Sequence, residues 1–382
     1  MRIEFTPNPR PTVGVELELH LVDESTGDLV SASCQILDEM AGRLGVTEHP
    51  KAKPELFQST IELITGVCNT PSEVRADLQQ TLDEASAVAA RMGVRLASSG
   101  THPFAMARAQ DVSPSPRYHA LIESMQWPAR RLLTCGLHVH VGVRDGARSI
   151  AIINELRRHL PLFVALSASS PFFEGEDSGL ASARSKIFEN LPTAGLPPLI
   201  EGWTDFEEFM ATLIRTNCIE SIREVWWDLR PHPDFGTVEL RMCDAPPTVD
   251  EAVALAALAQ TLVAWCDERI DAGELAPPAR DWTVRENRWL AARYGLEAEL
   301  IVESADREHP VRRPARALVE ELLDVLAPTA AVLGADDELA GVRSIVERGS
   351  GTWRQRMVVE AGGTLHDVVD LLVDELAGKR RR

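Results

Sequence analysis

Glu16 and Glu18 stand two residues apart in a stretch, residues 12–23, where apolar and polar side chains alternate. On a β-strand that spacing points both carboxylates the same way. Two carboxylates side by side repel unless a cation sits between them or one takes a proton. Hard oxygen ligands of this kind suit Mg²⁺ or Mn²⁺. A lone Glu-x-Glu pair also describes an ordinary solvated strand face. The stretch 53–63 adds Glu55 and Glu62. They lie seven apart, so one regular strand would send them to opposite faces. Either Glu55 sits in the loop after Pro54, or a bulge near Gln58 and Ser59 re-aims one of them; otherwise Glu62 alone joins the pair.

His138 and His140 form a His-x-His pair on another alternating stretch, 134–143. Such a pair serves zinc, but no third nitrogen or sulfur ligand motif accompanies it, and two half-buried structural histidines would look the same. A third stretch, 237–243, sets Thr237, Glu239 and Arg241 opposite Val238, Leu240 and Met242. An arginine beside a metal-binding glutamate suits a phosphate that gains or loses charge. Arg230 is a candidate second clamp, or the structural partner of Asp228 or another acid. The three polar faces hold Glu-x-Glu, His-x-His and Thr-x-Glu-x-Arg instead of the Lys, Thr, Ser and Gln of a plain wet face, which favours one shared site.

The elements that must position these residues are partly legible. The three stretches read as strands of an antiparallel sheet with one apolar face. Thr70-Pro71-Ser72-Glu73, Thr204-Asp205-Phe206-Glu207 and Thr248-Val249-Asp250-Glu251 read as capping boxes that open helices. The last helix runs to about Gly273. Residues 149–168 are helical with Pro161 forcing a kink or break. Further helices are expected near 284–294, 314–334, 336–348 and 364–377. No repeat or low-complexity linker divides the 382 residues, so one catalytic domain is expected, its core at about 11–375.

Composition narrows the function. A net charge of −19 opposes nucleic-acid binding. No apolar run reaches bilayer length, and the first residues carry no signal-peptide core, so a soluble, cytoplasmic protein away from membranes is expected. Six scattered cysteines without a Cys-x-x-Cys pair read as reduced thiols. The tail Lys379-Arg380-Arg381-Arg382 reads as disordered. There is no P-loop, no strand-linked Gly-x-Gly-x-x-Gly and no Gly-x-Ser-x-Gly elbow.

Together these residues resemble the carboxylate–amine ligase family, also called type 2 glutamate–cysteine ligase, within the glutamine synthetase-like superfamily. The resemblance is carried by Gly14-Val15-Glu16-Leu17-Glu18, stretch 53–62, Gly100-Thr101-His102-Pro103-Phe104, and stretches 133–142, 167–173 and 226–241. Glu286-Asn287-Arg288-Trp289 completes it. The resemblance implies an α+β fold whose curved, mainly antiparallel sheet forms an active-site funnel, with helices packed outside. It implies ATP with Mg²⁺ or Mn²⁺ as cofactors, and Glu16, Glu18, Glu55, Glu62, His138 and Glu239 as metal ligands. His138, His140 and Arg241 would meet the nucleotide, and Arg241, Glu239 and Arg230 would act in catalysis. His140 stands where several relatives carry Asn. The implied reaction is an acyl phosphate formed at the expense of ATP, then attacked by an amine, with ADP and phosphate released. A glutamate-like acid and a cysteine-like amine are the expected partners, with weak glutamate–cysteine ligase activity, and a homodimer is a family-level expectation. The rivals are a guanidino-type phosphotransferase on a related sheet and a nucleotide-binding protein without turnover. Arg117, Arg230 and the arginines of segment 343–356 are candidates to meet substrate anions, or plain surface charges.

Overall fold

The computed structural model describes residues 2–303 and 309–379. The basic tail expected to be disordered therefore lies outside the described residues at Arg380, Arg381 and Arg382; Lys379 is described and donates its N–H to the Asp374 carbonyl (2.8 Å).

Strands β1 (Val13–Asp23), β2 (Ala52–Pro54), β3 (Thr60–Ile64), β4 (Val94–Ala97) and β5 (Gly136–Gly142) come first. A short hairpin, β6 (Phe172–Phe173) and β7 (Glu176–Asp177), precedes β8 (Leu229–His232) and β9 (Thr237–Asp244). A separate pair, β10 (Glu299–Val302) and β11 (Val311–Pro314), follows. The main sheet is antiparallel throughout, in the order β2-β3-β1-β5-β9-β8, with β4 pairing the far end of β1. Its path ends at β2 and β8, so the sheet is not closed into a barrel. This is the α+β class with a mainly antiparallel sheet that the sequence led us to expect.

Alternation fixes which face is dry. Val13, Val15, Leu17, Leu19 and Leu21 of β1, Leu137, Val139 and Val141 of β5, and Val238 and Leu240 of β9 are all buried to 1% exposure or less. Each such side chain contributes about 1.5–3 kcal/mol, and a one-residue slip would turn all of them to the wet face. Helices α1 (Ser33–Leu44), α2 (Pro71–Ala90), α3 (Pro116–Met125) and α4 (Gly146–Ser167) are followed by α5 (Ala183–Phe188), α6 (Trp203–Arg215) and α7 (Val249–Ala272). The chain ends in α8 (Asp281–Tyr294), α9 (Ala315–Leu333), α10 (Asp336–Arg348), α11 (Gly351–Glu360) and α12 (Leu365–Leu376). Helices α2, α4 and α7 pack on the sheet.

Three local expectations change. Helix α6 starts at Trp203 behind Gly202, so Thr204 lies inside it and caps nothing; Glu207 instead accepts the Ile3 N–H (2.6 Å). Helix α4 begins at Gly146, capped by Asp145, and continues through Pro161 without a break. Leu160, Leu162, Phe163 and Val164 are all buried there, and that packing holds the turn the proline weakens. Helix α7 is, by length and composition alone, long and apolar enough to cross a membrane, contrary to the expectation that no apolar run reaches bilayer length. With 89% of its apolar window buried inside the protein, it is the central core helix. Thr248 does cap α7, and Thr70 caps α2, each accepting the N–H three residues on. All six cysteines are free.

Candidate active site

The polar faces of five strands join into one staircase. Glu62 on β3 lies opposite Glu18 on β1. Glu16, two residues back on the same face, lies opposite His138 on β5. His140 lies opposite Glu239 on β9, and Glu239 opposite Arg230 on β8. Cross-strand neighbours on one face are close enough to interact directly, so the register alone assembles the site. Glu55 arrives differently. It follows the end of β2 at Pro54, so its backbone sits in the loop and strand alternation does not bind it. That resolves the conflict between Glu55 and Glu62: both reach one cluster because only Glu62 is on a strand.

Three groups place their ligand atoms within 4.8 Å of one another: Glu18, Glu55 and Glu62; Glu16, Glu62 and His138; Glu16, His140 and Glu239. The groups share Glu16 and Glu62. His138 donates from Nδ1 to Glu16 (2.9 Å), and the Gly136 N–H donates to Glu18 (2.5 Å). His140 Nε2 lies 3.5 Å from Glu16 and 3.8 Å from Glu239, while its Nδ1 is 3.1 Å from the Thr237 hydroxyl.

The electrostatics divide the carboxylates in two. Burial raises Glu55 to about 8, reinforced by the charges of Glu18 and Glu16. Burial also raises Glu62 well above the ordinary carboxylate range, with Glu55, Glu16 and Glu18 adding to it. Glu16 resists the same burial, because the hydrogen bond from His138 and the nearby imidazole of His140 hold it far below that range. Burial likewise works against charge on Glu239, but Arg241 and Arg230 prevail and hold it low. The crowded half, Glu18–Glu55–Glu62, thus carries full charge only with a cation among its oxygens. An all-oxygen donor set of this kind fits Mg²⁺ or Mn²⁺. The half containing His138, His140 and Glu239 is already compensated and offers mixed nitrogen and oxygen donors.

Arg230 donates through Nε (2.8 Å) and Nη2 (2.6 Å) to one Glu239 oxygen, and Arg241 pairs with the other. Arg230 is thereby committed to Glu239 and to the Val225 carbonyl (3.0 Å), and not to Asp228. Asp228 is held by Arg288 of α8 instead, at 2.6 and 3.2 Å. Opposite His138 the pairing of β5 with β9 slips, so β9 carries one extra residue between Leu240 and Cys243. The bulge lets Met242 and Cys243 both enter the core while Arg241 stays beside Glu239.

Sequence reasoning missed Arg184. Gly136 shares the face of His138 and His140, and a Cβ added there would stand 2.2 Å from Nη2 of Arg184. The guanidinium therefore fills the empty side-chain slot of Gly136 on the polar face. It is 3% exposed. Its Nη2 donates to the Arg241 carbonyl (3.3 Å), its Nε has no hydrogen-bond partner and no carboxylate pairs with it among the described residues. Buried arginines are normally paired. The one sequence signal was the glycine, which only a close neighbour explains.

Residues 12–372 match the family model of glutamate–cysteine ligase family 2. The chain belongs to this family. A relative from Thermobifida fusca named "Putative glutamate–cysteine ligase 2" is 48% identical over 375 residues, covering 98% of this chain and 93% of its own. Another from Frankia casuarinae, named "Putative glutamate–cysteine ligase 2-1", is 48% identical over 377 residues, covering 98% of both. Among solved structures, the glutamate–cysteine ligase of Francisella tularensis in complex with AMP has a similar fold, with a TM-score of 0.70 at 12% identity, over 98% of this chain and 90% of that one. A bifunctional glutathione synthetase from Pasteurella multocida follows at 0.66 and 14%, over 97% of this chain and 52% of that one. The chain is thus a ligase of this family.

Several motif stretches of this ligase prove to be scaffold. Asp244 is buried and accepts from Ser169 N–H (3.0 Å) and the hydroxyls of Ser170 and Ser182 (2.7 Å each). Gly100 lies against it so closely that a Cβ would stand 2.6 Å from its carboxyl carbon. His102 donates to the Gly27 carbonyl (3.0 Å) and accepts the Ala105 N–H (3.0 Å). Of the other arginine candidates, Arg117 is exposed on α3 and its charge reaches Glu55. Arg343 pairs with Glu320 and Asp324, Arg354 with Glu251 and Glu375, and Arg356 with Asp177. The last three are tied up in structural pairs.

Proposed function

We propose that this chain phosphorylates a small carboxylic acid with ATP and joins the resulting acyl phosphate to an amine, as a carboxylate–amine ligase of glutamate–cysteine type. One observation carries the reading: three adjoining ligand groups, sharing Glu16 and Glu62, lie along a single polar face with two arginines at one end. Glu18, Glu55 and Glu62 would hold one Mg²⁺ or Mn²⁺, and Glu16, Glu239 and a histidine, His138 or His140, another. Bound there, divalent ions would neutralise the polyphosphate charge that repels an incoming carboxylate. The AMP carried by the Francisella neighbour supports a nucleotide as the phosphate source.

The chain's own residues supply the rest. Arg241 is anchored by Glu239 with its guanidinium at the polar face, where it would meet the oxygens of the phosphoryl group in flight. Arg230 positions Glu239 from behind. Arg184, whose guanidinium lies against Gly136 with its Nε unpartnered, would take the carboxylate of the acid substrate. The acid oxygen attacks the γ-phosphorus and ADP leaves. The amine nitrogen then attacks the acyl carbon, loses a proton, and phosphate leaves. No protein nucleophile is required, in keeping with the absence of an elbow motif. We place the reaction in the cytoplasm, where free thiols such as these six persist.

Incubation with ATP, Mg²⁺, glutamate and hydroxylamine tests the reading. A hydroxamate together with ADP and free phosphate is expected. A stable phosphorylated product without free phosphate would replace ligation by kinase chemistry, and nucleotide binding without ADP release across a panel of acids would remove turnover altogether.

A further inference from the structure

The polar face ends at the turn between β8 and β9, residues 233–236. Phe235 stands on it, 59% exposed. An exposed ring on a hairpin tip ordinarily moves with the tip. This one is fixed. It stacks on His232 with centroids 4.1 Å apart and planes 9° from parallel. Both rings meet His140 edge-on, His232 at 5.5 Å and Phe235 at 5.7 Å. The turn is braced by the N-terminal arm, where the Thr6 N–H donates to the Pro233 carbonyl (2.9 Å), and by the end of β5, where the Val143 N–H donates to the Gly236 carbonyl (2.9 Å). Gly236 sits at φ +65°, and a Cβ there would stand 1.9 Å from the Thr6 carbonyl oxygen, so glycine is what lets the arm lie against the turn.

One face of the Phe235 ring is therefore covered by His232 and the rest is open to solvent. Through His140 the ring adjoins the Glu16–His140–Glu239 group. The open part of an apolar ring stays hydrated until something covers it, and covering it with a flat group is favourable. A polyphosphate nucleotide held at the carboxylates brings its own flat heterocycle, and every nucleobase offers a π-face to an aromatic platform.

We infer that Phe235, backed by His232, is the platform on which the base of the nucleoside triphosphate stacks. The inference rests on the ligase reading above, which puts a triphosphate at the neighbouring carboxylates. It assigns to Phe235 a contact with the base alone and none with the phosphates.

Equilibrium binding to the full chain in Mg²⁺ tests it, with ATP and inorganic tripolyphosphate as parallel probes. Phe235→Ala is expected to weaken ATP by about ten- to a hundredfold and to leave tripolyphosphate unchanged. Phe235→Trp is expected to bind ATP at least as tightly as the wild type. Equal ATP affinity in the wild type and Phe235→Ala would overturn the platform while leaving the ligase reading intact. Equal weakening of both probes would also overturn it, because the effect would then come from a distorted turn. A wild-type chain that binds neither probe would sink the ligase reading and the platform with it.

Discussion

At the scale of single residues, the carboxylates of the crowded half oppose one another until a cation joins them, and this has a measurable sign. Glu62→Gln keeps the shape and removes an acid whose ionised form burial and its neighbours disfavour. Without divalent ions the variant is expected to melt higher than the wild type, by roughly 1 °C per kcal/mol of that cost relieved. With Mg²⁺ present the order should reverse, because the wild type gains from binding and the variant does not. Thermal melts with EDTA and with Mg²⁺ check both halves; a variant that melts lower in both would refute the picture. Arg184 makes an analogous prediction. Arg184→Met removes a buried cation whose charge helps keep the buried Asp228 and Asp244 ionised, so the fold should lose some stability. The KM for the acid substrate should rise about ten- to a hundredfold, the worth of a charge-assisted contact, with the KM for ATP little changed. Steady-state kinetics in each substrate separates the two.

At the scale of elements, the site depends on close approaches between strands and loops. Gly136→Ala would put a methyl group 2.2 Å from the Arg184 guanidinium. It should reproduce the Arg184→Met kinetics and also cost about 1–3 kcal/mol by overpacking, visible in urea unfolding. The loop that follows β4 carries a pH dependence. His102 is fully enclosed; burial lowers it from 6.5 to about 4, against a partial rise from its bond to Gly27. Its Nδ1 accepts backbone N–H groups, so the native ring is neutral. Between pH 6.5 and about 4 the unfolded chain takes a proton that the native state refuses. Stability is therefore complete above pH 6.5 and falls by about 1.4 kcal/mol per pH unit as the pH drops through that window. Unfolding of wild type and His102→Gln at pH 7 and pH 5 should show the steeper loss in the wild type; parallel losses would count against it.

At the scale of the whole molecule, two features outside the site hold the sheet. The buried helix α7 lies at the centre of the core, and Leu258→Ala within it should cost about 2–5 kcal/mol. The C-terminal helices are clasped to α7 by charge: Arg354 of α11 reaches Glu251 of α7 (2.8 Å) and Glu375 of α12 (2.7 Å). Arg354→Met leaves Glu251 and Glu375 with only the more exposed Arg348 beside them, at 3.8 and 3.5 Å, and should cost about 3 kcal/mol. Guanidinium-induced unfolding measures both, and hydrogen exchange should show α11 and α12 loosening first in the second variant.

Alternation and spacing in the sequence set the faces of β1, β5 and β9, and with them the polarity of Glu16, Glu18, His138, His140, Glu239 and Arg241. A strand's side-chain period is a local property of its backbone, so it survives without knowledge of the fold. The same holds for the caps at Thr70 and Thr248, which act within one turn of chain. Thr204 failed because Gly202 begins the helix two residues earlier, a choice made by the packing of Trp203 and Phe206. Which carboxylates meet was decided by register across five strands and by a loop that frees Glu55 from alternation, neither of which is local. The partner of Arg230, the burial of α7, and the slot that Arg184 takes above Gly136 each required a residue at least nine positions away in sequence. Such pairings depend on how the whole chain closes its core, and only the tertiary structure records that.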